Sequence, residues 1–394
     1  MVDNRFSSKR SEGLSWPSWF LARGETSLRR HAHCRLTEIV RRFEGTAFAT
    51  RAARAVEALD APGLPPTTSP KRASAADGPL APGGGADWIA QTLDVAAAGL
   101  DEHPPHADNW EIRKAALMLL DFPLNVRPRE LWRRPVGRFY QRFMTRAIDE
   151  IAADGPEQGL QIWKMYNMGF VVRSANHAVG FDIHPGWRLE EPLSSGQMER
   201  LAGLLDVAFV SHLHWDHLHK GFLEMMLAAG KTVVLPPGLL PRLDHRRVLR
   251  VYNDYRHPTR IGDIEVRTYP GWQNFWSRNC VYLVRMDGLT IAHNGDNTRQ
   301  RIYPRLARRD DVDVLLANGR TRIRRLADEA EPEMLITGHE NELAHFVPIR
   351  STFRQTFRRL KRLGLGPASP TGIDCHVLTW GESLHYLPDR ARGE

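Results

Sequence analysis

The chain has 394 residues, 42% of them hydrophobic, and a formal net charge of +8. That length and apolar content support one large core or two smaller ones and exclude a fibrous or unfolded chain. No run of about 20 apolar residues and no apolar region of the signal-peptide type occurs, so a membrane helix and an exported precursor are not expected. Cys34, Cys280 and Cys375 are widely spaced. Their odd number points to a reducing compartment, and the expected location is cytoplasmic.

In chain order, residues 1–87 read as a basic, poorly ordered segment and linker, with a helical stretch at 33–59 and a Pro, Ala, Ser and Gly-rich run at 62–86. Residues 88–157 read as a helical extension, with helices at 88–100, 109–120 and 129–152. Pro135 is expected to break or start the last of these. The extension is expected to pack on the domain that follows. The alternative is contact with a membrane surface, motivated by Arg133, Arg134, Arg138, Arg142 and Arg146 interleaved with Trp132, Phe139, Tyr140 and Phe143.

From residue 158 to 394 the texture changes to short strands alternating with helices. Asp287-Gly288 is a hairpin signal between strands at 280–285 and 289–293, and a strand at 373–379 is expected to close the sheet. The apolar run 207–210 reads as a buried strand, and His212, His214, Asp216 and His217 follow it directly. On an extended backbone His212 and His214 point the same way, whereas Asp216 and His217 sit at a turn. That pattern suits two adjacent cations, and imidazole with carboxylate suits zinc or manganese, with iron a third candidate. The helix that starts next presents its N-terminus to anions near the metal.

His-x-His-x-Asp-His after a hydrophobic strand resembles the metal signature of the metallo-β-lactamase fold superfamily. Further pieces fall in the expected order: Phe181-Asp182-Ile183, Ala292-His-Asn-Gly-Asp296, Leu335-Ile-Thr-Gly-His339 and the closing Val377-Leu-Thr-Trp-Gly-Glu382. The resemblance is nearest to the branch of ascorbate-6-phosphate lactonase and N-acyl phosphatidylethanolamine phospholipase D. It implies an α/β fold, an αββα sandwich of two mixed sheets with outer helices, preceded here by the helical extension. It also implies a metallo-hydrolase in which two divalent ions activate water. His212 and His214 would hold the first ion, Asp216, His217 and His339 the second, and Asp296 would bridge them. Asp216 and Asp296 are the catalytic candidates, and Asp182 would support the metal loop through hydrogen bonds.

The chain departs from the family at one place. A third histidine for the first ion is expected after the strand 264–269, but Trp272 and Gln273 stand there. Tryptophan is no ligand and an amide oxygen is a weak one for zinc, so a single ion is the alternative. His257, His293 and His345 are candidate substitutes. Trp272, Gln273, Trp276, Arg278 and Arg320 lie where the fold places its mouth and are candidate contacts to a small anionic substrate. The bond attacked would be a phosphodiester, a phosphate-bearing lactone or a related ester. Nucleic-acid processing and a degenerate, non-catalytic metal-binding protein are the alternatives.

Overall fold

The structure, a computed structural model, describes residues 25–60, 84–126, 130–186, 188–252, 254–273, 277–299, 311–343, 350–366 and 371–388. Helices come first: α1 (Glu25–Arg42), α2 (Ala47–Asp60), α3 (Gly84–Glu102), α4 (Trp110–Leu120) and α5 (Glu130–Ala152). Residues 25–60, expected within a poorly ordered segment, thus form two helices, and the stretch 33–59 is not one. Gly45, at φ 83°, makes the left-handed turn that ends the first. The Thr46 hydroxyl then accepts from Ala49 N at 3.1 Å and caps the second. Residues 1–24 and 61–83, including nearly all of the expected linker, lie outside the described residues.

α5 runs through Pro135 without ending there, which corrects the expected break. A proline near a helix start removes one backbone hydrogen bond. Burial of Trp132, Val136, Tyr140 and Phe143 along one face offsets that loss.

Strands follow: β1 (Leu160–Lys164), β2 (Phe170–Arg173), β3 (Ala178–Phe181), β4 (Val207–Phe209), β5 (Thr232–Leu235) and β6 (Val248–Arg250). Then come β7 (Thr259–Ile261), β8 (Ile264–Gln273), β9 (Ser277–Met286), β10 (Leu289–His293), β11 (Val314–Asn318), β12 (Met334–Gly338), β13 (Asp374–Val377) and β14 (Ser383–Tyr386). Among the described residues they form two seven-stranded sheets, ordered β14-β1-β2-β3-β4-β5-β6 and β13-β12-β11-β10-β9-β8-β7. The strand expected to close a sheet is β13, at the edge of its own, but a further strand follows it. β13 completes one sheet, and the chain then crosses to the other, where β14 pairs antiparallel with β1.

Alternate residues of the strands fill the space between the sheets: Ile162, Phe170, Val172, Phe181 and Phe209 from one, Val266, Tyr282, Val284, Leu316 and Ile336 from the other. The outer faces are covered by helices, including α6 (Ser195–Leu204), α7 (Lys220–Ala228), α8 (Ile323–Ala330) and α9 (Phe353–Leu363). β3, β4, β5 and β6 run parallel, as do β10, β11, β12 and β13. Parallel neighbours need crossovers, so the loops after β3, β4, β10, β11 and β12 emerge at carboxyl ends, where α/β sites form. The result is the expected αββα sandwich of mixed sheets.

The N-terminal helices share one continuous core with the sandwich. Trp132, Phe139, Tyr140 and Phe143 are buried in it, so the apolar half of the pattern that motivates a lipid-facing surface is turned inward. Arg142 and Arg146 on the outer side pair with Asp101. Among the described residues no helix is long and apolar enough to cross a membrane.

Two buried polar clasps fasten the helical layer. Arg113 of α4 meets Glu382, before β14, through two parallel contacts of 2.9 and 3.0 Å. Asp121, just past α4, accepts from Phe353 N and Arg354 N at the start of α9 and from Asn341 Nδ2 at 2.9 Å. Burial pushes the Asp121 carboxyl up to about 6, against the donors that surround it.

Each clasp gives a prediction. Arg113→Ala leaves a buried carboxylate without its partner and should cost about 3–5 kcal/mol in denaturant unfolding, with the Arg113→Ala/Glu382→Ala pair costing less than the sum of the two single changes. For Asp121 the carboxyl of the folded chain is the weaker acid, about 6 against 3.8. Its contribution to stability is therefore highest at low pH and should fall by about 3 kcal/mol as pH rises through that window. A stability difference between the wild type and Asp121→Asn that stays flat from pH 4 to pH 7 would refute this.

Candidate metal centre

Four loops at strand carboxyl ends supply the centre. Asp182 follows β3, the His212–His217 loop follows β4, Asp296 follows β10 and His339 follows β12. His212, Asp216, His217, Asp296 and His339 are all buried.

Asp182 organises the first two loops. It stands in the left-handed region, at φ 47°. Its Oδ1 accepts from Ser211 N at 2.7 Å, and its Oδ2 accepts from Ser211 Oγ at 2.6 Å and from His217 Nδ1 at 2.7 Å. Because Ser211 Oγ gives its proton to Asp182, it accepts from His212 Nδ1, 3.0 Å away. Both imidazoles therefore carry their proton on Nδ1 and turn the Nε2 lone pair inward. His212 Nε2 is buried and makes no hydrogen bond.

Asp296 is held from three sides. Its N–H donates to Asn279 Oδ1 at 2.9 Å, Asn318 Nδ2 donates to its Oδ1 at 2.6 Å, and Gln273 Nε2 donates to its Oδ2 at 2.6 Å. Gly295, at φ 52°, permits the turn: a Cβ there would sit 2.7 Å from that of Ser211. Asp216 Oδ2 accepts from Asn167 Nδ2 at 2.9 Å, and Asn167 O accepts from His339 N at 3.2 Å. His339 itself is left-handed, at φ 73°, a conformation that costs a non-glycine residue energy and recurs at functional sites.

Around Asp296 Oδ2 the imidazole nitrogens stand at 3.4 Å (His339), 3.6 Å (His217) and 3.8 Å (His212). Asp216 Oδ2 is 3.6 Å from both His217 Nε2 and His339 Nε2. These gaps exceed hydrogen bonds. They approximate the edges of a coordination polyhedron, about 3.3 Å for a tetrahedron with bonds of about 2.0–2.1 Å. Two such groups of donors occur among the described residues, His212, His217 and Asp296, and Asp216, His217 and His339. The residues fit divalent cations.

The charge balance agrees. Burial pushes the His212 imidazole down to about 3, with His217 adding repulsion. Burial acts the same way on His217, but Asp296, Asp216 and Asp182 outweigh it and raise that group well above the ordinary imidazole value. Burial would raise the Asp296 carboxyl, yet His339 and His217 hold it well below the usual range. Against its burial, His339 is raised as well, by Asp296 and Asp216, so protons on His217 and His339 balance the buried carboxylates, and a divalent cation would take the place of those protons.

Residues 189–321 match the family model of the beta-lactamase superfamily domain. Over that stretch, about a third of its length, the chain is similar to that domain. No curated protein matches the chain. Among solved structures, the metallo hydrolase Igni18 from the archaeon Ignicoccus hospitalis is 17% identical at a TM-score of 0.47, over 59% of this chain and 100% of that one. CmlA, a diiron β-hydroxylase from Streptomyces venezuelae, is 16% identical at 0.45, over 59% and 55%. The short form of human tRNase Z is 12% identical at 0.37, over 58% and 99%.

Other expected site residues fall less neatly. His214 is only part-buried, its ring 4.6 Å from that of His212, and belongs to neither tight donor group. His217, expected with the second ion alone, is common to both groups. Of the candidate substitutes, His257 is exposed, His345 lies outside the described residues, and His293 donates from Nε2 to Met168 O and stacks on Phe181. Gln273, not Trp272, reaches the centre. Trp272 is anchored by its backbone to Asn297 and Thr298. Trp276 is outside the described residues, Arg278 is exposed at the start of β9, and Arg320 is part-buried beside Asn318.

The sequence reading missed Ser211, Asn167, Asn279 and Asn318, whose amides and hydroxyl carry no spacing signal. It also passed over Leu213 and Trp215. Among the described residues these are the exposed large hydrophobics, at 61% and 69%, and both lie on the metal loop. Their exposure sets an apolar rim beside a polar centre.

Asp182→Asn keeps the shape but turns an acceptor toward donors into an amide. It should weaken divalent-cation affinity about 10- to 100-fold, measured by competition with a chromogenic chelator. An unchanged affinity would remove Asp182 from its supporting role.

Proposed function

We propose that the protein is a metal-dependent hydrolase that cleaves a phosphodiester, a phosphate-bearing lactone or a related ester. The likeness of residues 189–321 to the beta-lactamase superfamily domain supports metal-dependent hydrolysis in general. One observation carries the reading: buried imidazoles and carboxylates from loops far apart in sequence stand 3.4–3.8 Å apart around Asp296 Oδ2 and Asp216 Oδ2, with their lone pairs inward.

In this reading Asp216, His217, His339 and Asp296 would hold one divalent cation, zinc or manganese, and His212, His217 and Asp296 would face a second, with His214 beside them. A bound divalent cation supplies Lewis acidity, polarising the ester oxygen and acidifying water at neutral pH. The chain's own residues do the rest. Asn167 and Asn318 fix the carboxylates, so that charge is placed before substrate arrives. Asp182 holds the imidazole protons away from the centre. Arg278 and Arg320 offer positive charge at the rim for an anionic group, and Leu213 and Trp215 offer apolar area to the remainder of the substrate. This combination favours a substrate with an anionic head and an apolar part.

Asp216→Ala should abolish turnover of bis(4-nitrophenyl) phosphate or of a lactone in a panel, by at least about 100-fold, with the circular dichroism spectrum kept. Full activity in that variant would exclude Asp216 from the chemistry. The amide at position 273 supports a second reading, a cation-binding protein without turnover. A folded, metal-loaded wild type that hydrolyses no phosphodiester, lactone or RNA would favour it.

A further inference from the structure

The donors around Asp296 are not symmetric. His339 and His217 have the second carboxylate of Asp216 beside them as well as Asp296. His212 shares a donor group with His217 and Asp296 alone, and the amide of Gln273 donates to the same Asp296 Oδ2. A carboxylate oxygen only accepts, so the hydrogen bond to Asp296 fixes the orientation of that amide: the NH2 faces Asp296 and the carbonyl oxygen turns away. Gln273 Oε1 is buried and accepts no hydrogen bond, and His212 Nε2 is in the same condition. No donor answers either lone pair. A cation held by His212, His217 and Asp296 would have one carboxylate, whereas one held by Asp216, His217 and His339 would have Asp216 and, close by, Asp296.

We propose that the centre is a pair of unequal cation positions, and that Gln273 sets the inequality by placing a neutral amide oxygen on the weaker one. This rests on reading the centre as a cation site. Attraction to two carboxylates makes the position of Asp216, His217 and His339 the tight one. The amide oxygen is a hard, uncharged donor, which suits manganese better than zinc. The weaker position therefore exchanges its ion, discriminates against zinc, and makes the state of the centre depend on which ion is abundant. Gln273 also ties the two positions together, because the amide that donates to the shared carboxylate is the one that offers its oxygen.

The test is cation uptake by the chelator-stripped full chain, titrated separately with zinc and with manganese against a chromogenic chelator. The wild type is expected to take one equivalent of zinc tightly and a second at least about 100-fold more weakly, with a smaller gap for manganese. Gln273→His should close the zinc gap to about tenfold or less. Gln273→Glu, which keeps the shape of the side chain and adds a charge, should tighten the second equivalent of both metals, and it carries the comparison if the histidine variant does not fold. Gln273→Ala should lose the second equivalent and keep the first. His339→Ala should lose the first.

Two equal zinc equivalents in the wild type would overturn the proposal while leaving the cation site intact, as would a Gln273→Ala chain that keeps both. A wild-type chain that binds neither metal would instead overturn the reading of the centre itself.

Discussion

The centre depends on one buried carboxylate that is not in it. Asp182 sits at the carboxyl end of β3 and accepts three hydrogen bonds from the neighbouring loop, two from Ser211 and one from His217. A carboxylate surrounded by donors stays ionised despite burial, and Asp182 is held below its ordinary range by His217. That single charge fixes both protons on Nδ1, one directly and one through Ser211. Without it the imidazoles of His212 and His217 have no reason to face the same point. The left-handed backbone of Asp182 is the local cost of this arrangement.

The helical layer belongs to the same mechanical system. Asp121 caps α9 and grips Asn341, two residues beyond His339. Asn125 Nδ2 reaches Asn341 Oδ1 at 3.2 Å. Arg350 joins Leu124 O and Leu343 O. The loop that carries His339 is thus fastened by residues from the N-terminal helices as well as by its own strand. Both His339 and Asn341 have positive φ, so surrounding contacts must hold the loop in a conformation it would not choose alone. The extension therefore supports the His339 side of the centre in addition to burying apolar surface.

Periodicity made the elements legible. Strand-type runs at 207–210 and 289–293 and the Asp287-Gly288 turn became β4, β10 and the β9–β10 hairpin, because a pleated strand in a sandwich must alternate or be wholly apolar. It misjudged α5 at Pro135, where burial of Trp132 and Tyr140 outweighs one lost hydrogen bond, and it joined α1 to α2, where Gly45 permits a turn that polarity does not announce. It also missed the strand that follows β13. β14 returns to β1, a pairing between the two ends of the domain that no local signal encodes.

By itself, the chain's order of residues determined the ligand-type side chains, their sequence along the strands and the absence of a third histidine before residue 274. These are local facts, written in residue type and spacing. Tertiary structure alone decided that His217 stands between both donor groups, that His214 stays outside them, and that Gln273 rather than Trp272 meets Asp296. Those outcomes turn on differences of an ångström or so between loops from β3, β4, β8, β10 and β12. Such distances follow from how two sheets and a helical layer pack, and no stretch of sequence contains them.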